Sequence, residues 1–79
     1  MHDKLREDIV QVLSGKKACV RSGTRDGEET ISFLHEELRD RRWRGLGGLA
    51  DFECTLENMG FRIRKIYKNG SRIRTYVGL

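Results

Sequence analysis

The sequence predicts a small mixed α+β domain in which a helix, a short strand, two further helices and a β-hairpin follow one another. Three segments carry apolar residues at helical spacing. The C-terminal segment is built instead around Asn69-Gly70, a dipeptide typical of hairpin turns. With 79 residues in total, the chain is long enough for one small domain, which is expected to cover residues 1–79.

The first helix is expected to begin at Asp3, as its cap, and to end near Ser14, with Gly15 after it. Its apolar residues are spaced i, i+4, i+7 and i+8, which places them on one helical face: Leu5, Ile9, Val12 and Leu13. Residues 18–21 tolerate β-structure and lie between two glycines, so a short strand is predicted there.

The second helix is expected over about residues 28–41. Glu28 and Glu29 would lie in its first turn, where negative charge is favourable. Its apolar stripe is Ile31, Leu34 and Leu38. The segment RDRRWRGLGG ends this helix, and the third helix runs from Gly47 or Gly48 to about Asn58. Its apolar stripe is Leu49, Phe52, Leu56 and Met59.

The last predicted element is a hairpin over about residues 61–78. A two-residue loop at Asn69-Gly70 would place arginines on the apolar face of the hairpin. A three-residue loop of residues 68–70 instead puts most apolar residues on one face and most basic residues on the other. In this favoured register Lys65 is the only misfit on the face expected to be buried, which holds Phe61, Ile63, Tyr67, Ile73, Thr75 and Val77. The other face holds, beside Ile66, the residues Arg62, Arg64, Lys68, Arg72, Arg74 and Tyr76.

Positive charge is concentrated toward the C-terminus. Residues 1–40 have seven Lys or Arg and nine Asp or Glu, whereas residues 41–79 have nine and three. From residue 61 onward there are six basic residues and no acidic one. This pattern predicts a polyanionic partner. The alternative is a solvated sheet face whose charges only prevent aggregation.

The connector RRWRGLGG, the helix LADFECTLENMGF and the hairpin RIRKIYKNGSRIRTYV together resemble the winged helix-turn-helix DNA-binding superfamily. The resemblance is to small bacterial, plasmid or phage regulators. It implies that helix three enters the major groove and that the hairpin is a wing on the flanking backbone. The chain departs from the pattern because helix three has no Lys or Arg but contains Asp51, Glu53 and Glu57.

The resemblance therefore implies a non-enzymatic protein of transcription regulation, or an architectural factor, that binds double-stranded DNA as a monomer or weak homodimer. Arginines of the connector and wing would hold phosphates, and Asn58 would read adenine. Trp43 is expected in the core, the alternative being contact with the sugar–phosphate backbone. The candidate DNA contacts are Arg41, Arg42, Arg44, Ala50, Cys54, Asn58, Arg62, Arg64, Lys68, Arg72, Arg74 and Tyr76.

Two alternatives remain open. The acidic face of helix three, with Asp51 and Glu57, is compatible with a protein-interaction module such as a small phage modulator of host machinery. Tyr76, if outward, would give the wing an aromatic platform for RNA or single-stranded DNA.

Catalysis is not expected, because the sequence has no HExxH, P-loop or GxSxG motif and no zinc-ligand spacing. His2 lies near the terminus, and His35 is expected to be a partly buried structural residue. No cofactor or metal is predicted. Cys19 and Cys54 are expected to be buried free thiols rather than a disulfide. With no long apolar run, the protein is expected to avoid membranes and to be cytoplasmic.

Overall fold

The computed structural model describes residues 3–79, in which three helices pack against a three-stranded antiparallel sheet. In chain order the elements are α1 (Asp3–Ser14), β1 (Glu28–Thr30), α2 (Ile31–Asp40), α3 (Leu49–Asn58), β2 (Arg62–Lys68) and β3 (Ser71–Gly78). The strand order in the sheet is β1-β3-β2. The predicted α+β class is confirmed, and this arrangement is compatible with a winged-helix layout. The expectation about His2 falls outside the described residues.

The core forms where the three predicted apolar stripes meet β3. The stripes of α1 and α2 are buried as predicted, and Val77 of β3 joins them. On α3 the prediction is confirmed for Phe52 and Leu56 but wrong for Leu49, which is 45% exposed in the first turn of the helix. Trp43 packs against the core margin, as expected, and its indole N–H donates to Asp8 Oδ2 at 2.6 Å.

The first strand is not where the sequence pattern placed it. Residues 18–21 contribute only an isolated bridge between Cys19 and Thr24, whereas β1 lies at Glu28–Thr30. The two glutamates therefore belong to a strand and not to the first turn of α2. The helix begins at Ile31, because Thr30 is its N-cap and the Thr30 hydroxyl accepts from the Phe33 N–H at 3.3 Å.

The hairpin loop also differs from the prediction. Asn69 and Gly70 both have positive φ, at 53° and 80°, and Lys68 pairs with Ser71, so the loop has two residues and not three. A bulge follows, because Ile66 pairs with Arg74 while Tyr67 pairs with Arg72. The bulge adds one residue to β3 and restores most of the predicted division between the two faces.

Four side chains of the hairpin lie differently from the prediction. Arg72 points toward α3 and away from the basic face, and Ile73 is 54% exposed. Tyr76, expected to point outward, is buried at 3% exposure, whereas Tyr67 is 59% exposed. The loop between α1 and β1 covers Tyr76, which donates its hydroxyl proton to the Ser22 carbonyl at 2.7 Å.

Both cysteines are free, as predicted, but Cys19 and Cys54 are exposed rather than buried. Cys19 lies in the loop between α1 and β1, and Cys54 lies on the outward face of α3. Gly23, next to the bridged residue Thr24, has a φ of 75°. A Cβ at this position would lie 2.7 Å from the Tyr76 hydroxyl, so the loop can cover Tyr76 only with glycine there.

Candidate nucleic-acid interface

The outward face of α3 is open to solvent. Ala50, Cys54 and Asn58 are all exposed there, as the helical spacing predicted. Asp51 and Glu57 flank them and are exposed as well. Because Ala50 and Cys54 have small side chains, this face permits close approach of a partner. Its two charges are negative, and it carries no cation.

The third carboxylate of α3 is neutralised by the wing, which we define as the β2–β3 hairpin. Glu53 Oε1 accepts a hydrogen bond from Arg72 of β3, and Glu53 Oε2 lies 3.4 Å from Lys65 Nζ of β2. Arg72 Nη1 also lies 3.4 Å from Thr75 Oγ1. One side chain of α3 therefore connects the helix to both strands of the wing.

Arg64 of the wing is an internal structural residue. Its Nε donates to Glu28 Oε2 at 3.0 Å, and its Nη2 donates to the Gly23 carbonyl at 2.9 Å. Its guanidinium lies 4.3 Å from the centroid of the Tyr76 ring. The hydrogen bond from Arg64, with help from the Arg25 N–H, lowers the pKa of Glu28, and the same bond raises the pKa of Arg64.

Arg74 is occupied in a similar way. Its Nη1 donates to the Ser22 carbonyl at 2.7 Å and lies 3.3 Å from the Tyr76 hydroxyl oxygen. The basic outer face predicted from the hairpin alone is therefore partly covered by the loop between α1 and β1, which the sequence pattern could not place.

The arginines of the connector between α2 and α3 have two different environments. Arg41 donates from Nη1 to Gln11 Oε1 at 3.0 Å and lies 3.9 Å from Asp8 Oδ1, so it contacts α1. Arg42, with φ of 70°, and Arg44 are exposed.

His35 of α2 also contacts the connector and is a partly buried structural residue, as expected. Its Nε2 lies 2.9 Å from the Gly47 carbonyl, and its ring packs edge-on against Phe52 at 5.1 Å. The first turn of α3 needs Gly47 as well, because a Cβ there would lie 2.9 Å from Asp51.

The basic residues among the predicted contacts thus fall into two groups. Arg41, Arg64, Arg72 and Arg74 make hydrogen bonds within the protein. Among residues 3–79 no ion pair is formed by the exposed cations Arg42, Arg44, Arg62 and Lys68. Buried Tyr76 is not available as a stacking platform, which removes the feature on which the single-strand alternative rested.

Sequence reasoning missed Glu28 and Glu53 as partners of the wing. Glu28 is 36 residues from Arg64, and Glu53 is 19 residues from Arg72, so no local spacing connects either pair. The prediction was also wrong for Tyr67, which was expected on the buried face of the wing but is exposed beside the bulge.

A cleft of about 520 Å³ separates the wing from the first turns of α2 and α3. Leu49 and Ile73, both about half exposed, line it together with Ser32 and residues 72–75. This cleft brings apolar and basic groups to one surface between the wing and the first turns of α2 and α3.

No protein-family model, curated protein or solved structure matches this chain. Among residues 3–79, no three His, Cys, Asp or Glu side chains gather as metal ligands. Within the same range, no helix has the length and apolar character needed to cross a membrane.

Proposed function

We propose that this protein is a non-enzymatic duplex DNA-binding protein, acting as a small regulator or architectural factor. In this proposal α3 faces the major groove and the wing lies along the flanking backbone. The observation that carries it is the exposed small-sided face of α3, with Ala50 and Cys54, beside a basic wing that Glu53 holds against the helix.

The phosphate contacts come from the exposed cations that have no ion-pair partner among residues 3–79. On the wing these are Arg62 and Lys68, and on the connector Arg42 and Arg44. Such contacts supply affinity at any sequence, because every phosphate looks alike. Arg72 keeps 41% of its side chain exposed beyond its bond to Glu53, so it can add a further contact at the edge of the wing.

Base reading is limited to a few groups on α3. Asn58 is exposed and offers the donor–acceptor pair that matches adenine in the major groove. Asp51 and Glu57 repel phosphates, although a carboxylate can accept from cytosine. The proposal therefore combines substantial sequence-independent affinity with modest sequence preference.

The test is fluorescence anisotropy with labelled duplex DNA, single-stranded DNA and RNA over a salt series. We expect a preference for duplex and a steep salt dependence. Arg62→Gln/Lys68→Gln is expected to reduce the slope of log K against log salt by about 1–2, since each phosphate contact contributes about 0.9. Lys17→Gln/Arg21→Gln, with the same charge change in the loop between α1 and β1, is the matched control.

Absence of binding to duplex DNA even at low salt would overturn the proposal. Equal slopes of log K against log salt for the wing variant and the control variant would show instead that DNA binding depends only on the net charge of the protein. Asn58→Ala is expected to change the preference among duplex sequences while leaving the salt slope unchanged, since it removes a base contact and no cation.

A second candidate function is supported by the apolar part of the cleft. Leu49 and Ile73 are exposed, and the helix that carries Leu49 also exposes Asp51 and Glu57, a combination suited to a protein partner. A photo-reactive amino acid placed at position 73 distinguishes the two candidates in cells. Crosslinks to DNA support the first candidate, and crosslinks to one protein support the second.

A further inference from the structure

We infer that a pocket between α2 and the connector binds a phosphate group. The pocket has a volume of about 270 Å³ and lies beside the last turn of α2. Its charged lining consists of Arg39 and Arg44, with His35 and Trp43 on its walls, and no carboxylate lines it. Two guanidinium groups that share a concave surface without an acidic group favour an anionic ligand.

The absence of an internal counter-ion distinguishes this pocket from two other basic clefts. The cleft that contains Arg62 and Arg64 is also lined by Asp26 and Glu28. In the cleft beside the wing, Arg72 is bonded to Glu53, and Arg74 donates to the Ser22 carbonyl, so both arginines already have partners within the protein.

By contrast, neither arginine of the pocket between α2 and the connector forms an ion pair within the described part of the chain. Arg39 and Arg44 are both exposed, so their guanidinium groups are accessible to an anion. Arginine suits a phosphate because its planar donors match two phosphate oxygens at once.

Hydrogen bonds fix the positions of Trp43 and His35, which line the pocket. The Trp43 backbone N–H donates to the Leu38 carbonyl at 3.0 Å, and its indole N–H donates to Asp8. His35 Nε2 donates its proton to the Gly47 carbonyl, since a carbonyl oxygen only accepts. A preformed site loses less conformational entropy when a ligand binds.

One local feature opposes an anion and is offset within the pocket. The C-terminal end of a helix carries partial negative charge, and the pocket lies beside that end of α2. Arg39 lies in the last turn of α2, where its charge compensates the helix dipole. Arg44 then supplies the additional positive charge that the ligand needs.

The phosphate has two possible sources, the backbone of a nucleic acid or a free small molecule. If it belongs to duplex DNA, the inference rests on the proposed function and adds Arg39 of α2 to the phosphate contact already assigned to Arg44. If it is free, the inference stands without that function. The chemistry of recognition is the same in both cases.

Trp43 makes the pocket directly observable, because it is the only tryptophan in the chain and lines the pocket. The experiment is a titration of the full chain at constant ionic strength, with Trp43 fluorescence as the readout. The first probe is inorganic pyrophosphate, and the second is an unlabelled duplex oligonucleotide. The test variant is Arg39→Gln/Arg44→Gln, and Lys17→Gln/Arg21→Gln is the control with the same charge change.

We expect a saturable change in Trp43 fluorescence with at least one probe. The pocket variant should weaken that binding about tenfold or more, since it removes charge-assisted hydrogen bonds, while the control variant binds as the wild type does. A response to pyrophosphate shows a site for free phosphate, and a response to the duplex alone assigns the phosphate to DNA.

Three outcomes would overturn the inference: no saturable response to either probe, equal affinity in the pocket variant and the wild type, or equal weakening in both variants. Duplex binding seen by anisotropy without a Trp43 response to either probe would leave the proposed function intact and reject the pocket. A pyrophosphate response without duplex binding would support the pocket and reject the proposed function. Circular dichroism of both variants checks that they are folded.

Discussion

Arg64 of β2 reaches across the central strand of the sheet to Glu28 of β1, so one ion pair connects the two edge strands. The strand order β1-β3-β2 places β3 between them, and the ring of Tyr76 from β3 lies 4.3 Å from the Arg64 guanidinium. Glu28 is 7% exposed, and the Arg64 side chain is 24% exposed. The contact is therefore largely shielded from water and stabilises the sheet.

Arg64→Ala is expected to destabilise the fold by about 2–4 kcal/mol. The substitution leaves the Glu28 carboxylate buried without its cation and also removes the contact with the Tyr76 ring. Urea unfolding followed by far-UV circular dichroism measures the loss. A change this large for a residue predicted from sequence to bind DNA identifies its role as structural.

Arg62→Ala is the matched control for this prediction, because Arg62 lies two residues earlier on β2, is exposed, and forms no ion pair among residues 3–79. Its effect on stability is expected to lie within about 0.5 kcal/mol. If Arg64→Ala and Arg62→Ala lower the unfolding free energy by the same amount, the ion pair between Arg64 and Glu28 does not contribute to stability.

The same ion pair predicts how stability depends on pH. The hydrogen bond from Arg64 lowers the pKa of Glu28 in the folded state below its ordinary value of 4.5. A group whose pKa is lower when folded contributes stability above its unfolded pKa and loses it as pH falls through the folded value. The unfolding free energy should therefore decrease as the pH drops below about 4.5.

Urea unfolding at a series of acidic pH values tests this dependence. Glu28→Gln should flatten the acid limb because it removes the titrating group, at the cost of lower stability near neutral pH. Glu57→Gln, which changes an exposed carboxylate, should leave the acid limb as it is in the wild type. An acid limb that persists unchanged in Glu28→Gln would contradict the assignment.

The loop between α1 and β1 gives a prediction about thiol reactivity. The Ser22 backbone N–H, with the Ser22 hydroxyl and the Arg21 N–H, lowers the pKa of Cys19 below its ordinary value of 9.0. Cys19 is exposed, so reagents reach it. Because the thiolate is the reactive form, alkylation should become fast at a lower pH in the folded protein than in the unfolded chain.

The measurement uses the Cys54→Ser variant, in which Cys19 is the sole thiol. Rates of reaction with iodoacetamide are followed against pH, once in buffer and once in denaturing urea. The midpoint of the rate curve should be lower in the folded protein. Coincident midpoints would show that the loop does not stabilise the thiolate.

The helices were predictable from sequence because their signal is local. Apolar residues at helical spacing identified the buried faces, and burial of Phe52 and Leu56 then determined that Ala50, Cys54 and Asn58 face solvent. The strand β1 lacked such a signal. Its sequence Glu-Glu-Thr contains no apolar residue and so shows no alternation of apolar and polar residues, and it becomes a strand because Glu28 and Thr30 pair with Gly78 and Tyr76.

The wing shows a second limit of prediction from sequence. Its turn was visible in Asn69-Gly70, but the bulge beyond it was not, and the bulge directs Arg72 toward α3. The α1–β1 loop then covers Tyr76, a contact between residues 54 positions apart. The charge of the hairpin could be counted from the sequence, but which arginines remain free depended on these distant contacts.

Glu53 leads to the prediction that most directly joins the fold to the proposed function. It is bonded to Arg72 and lies 3.4 Å from Lys65, so it holds both strands of the wing against α3. Glu53→Gln removes one negative charge and frees two cations. We expect tighter binding to duplex DNA of any sequence, a salt slope steeper by about 1–2, and weaker discrimination among sequences because the wing is no longer fixed.

Glu57→Gln is the control, since it changes the charge of the same helix equally at an exposed residue with no ion pair among residues 3–79. Anisotropy titrations over a salt series compare the two variants, and hydrogen exchange of the wing amides reports its mobility without DNA. Faster exchange only in Glu53→Gln supports a clamp between α3 and the wing, whatever the protein binds. Equal salt slopes and equal exchange in both variants would mean that Glu53 acts only through its charge and that the wing keeps its position without it.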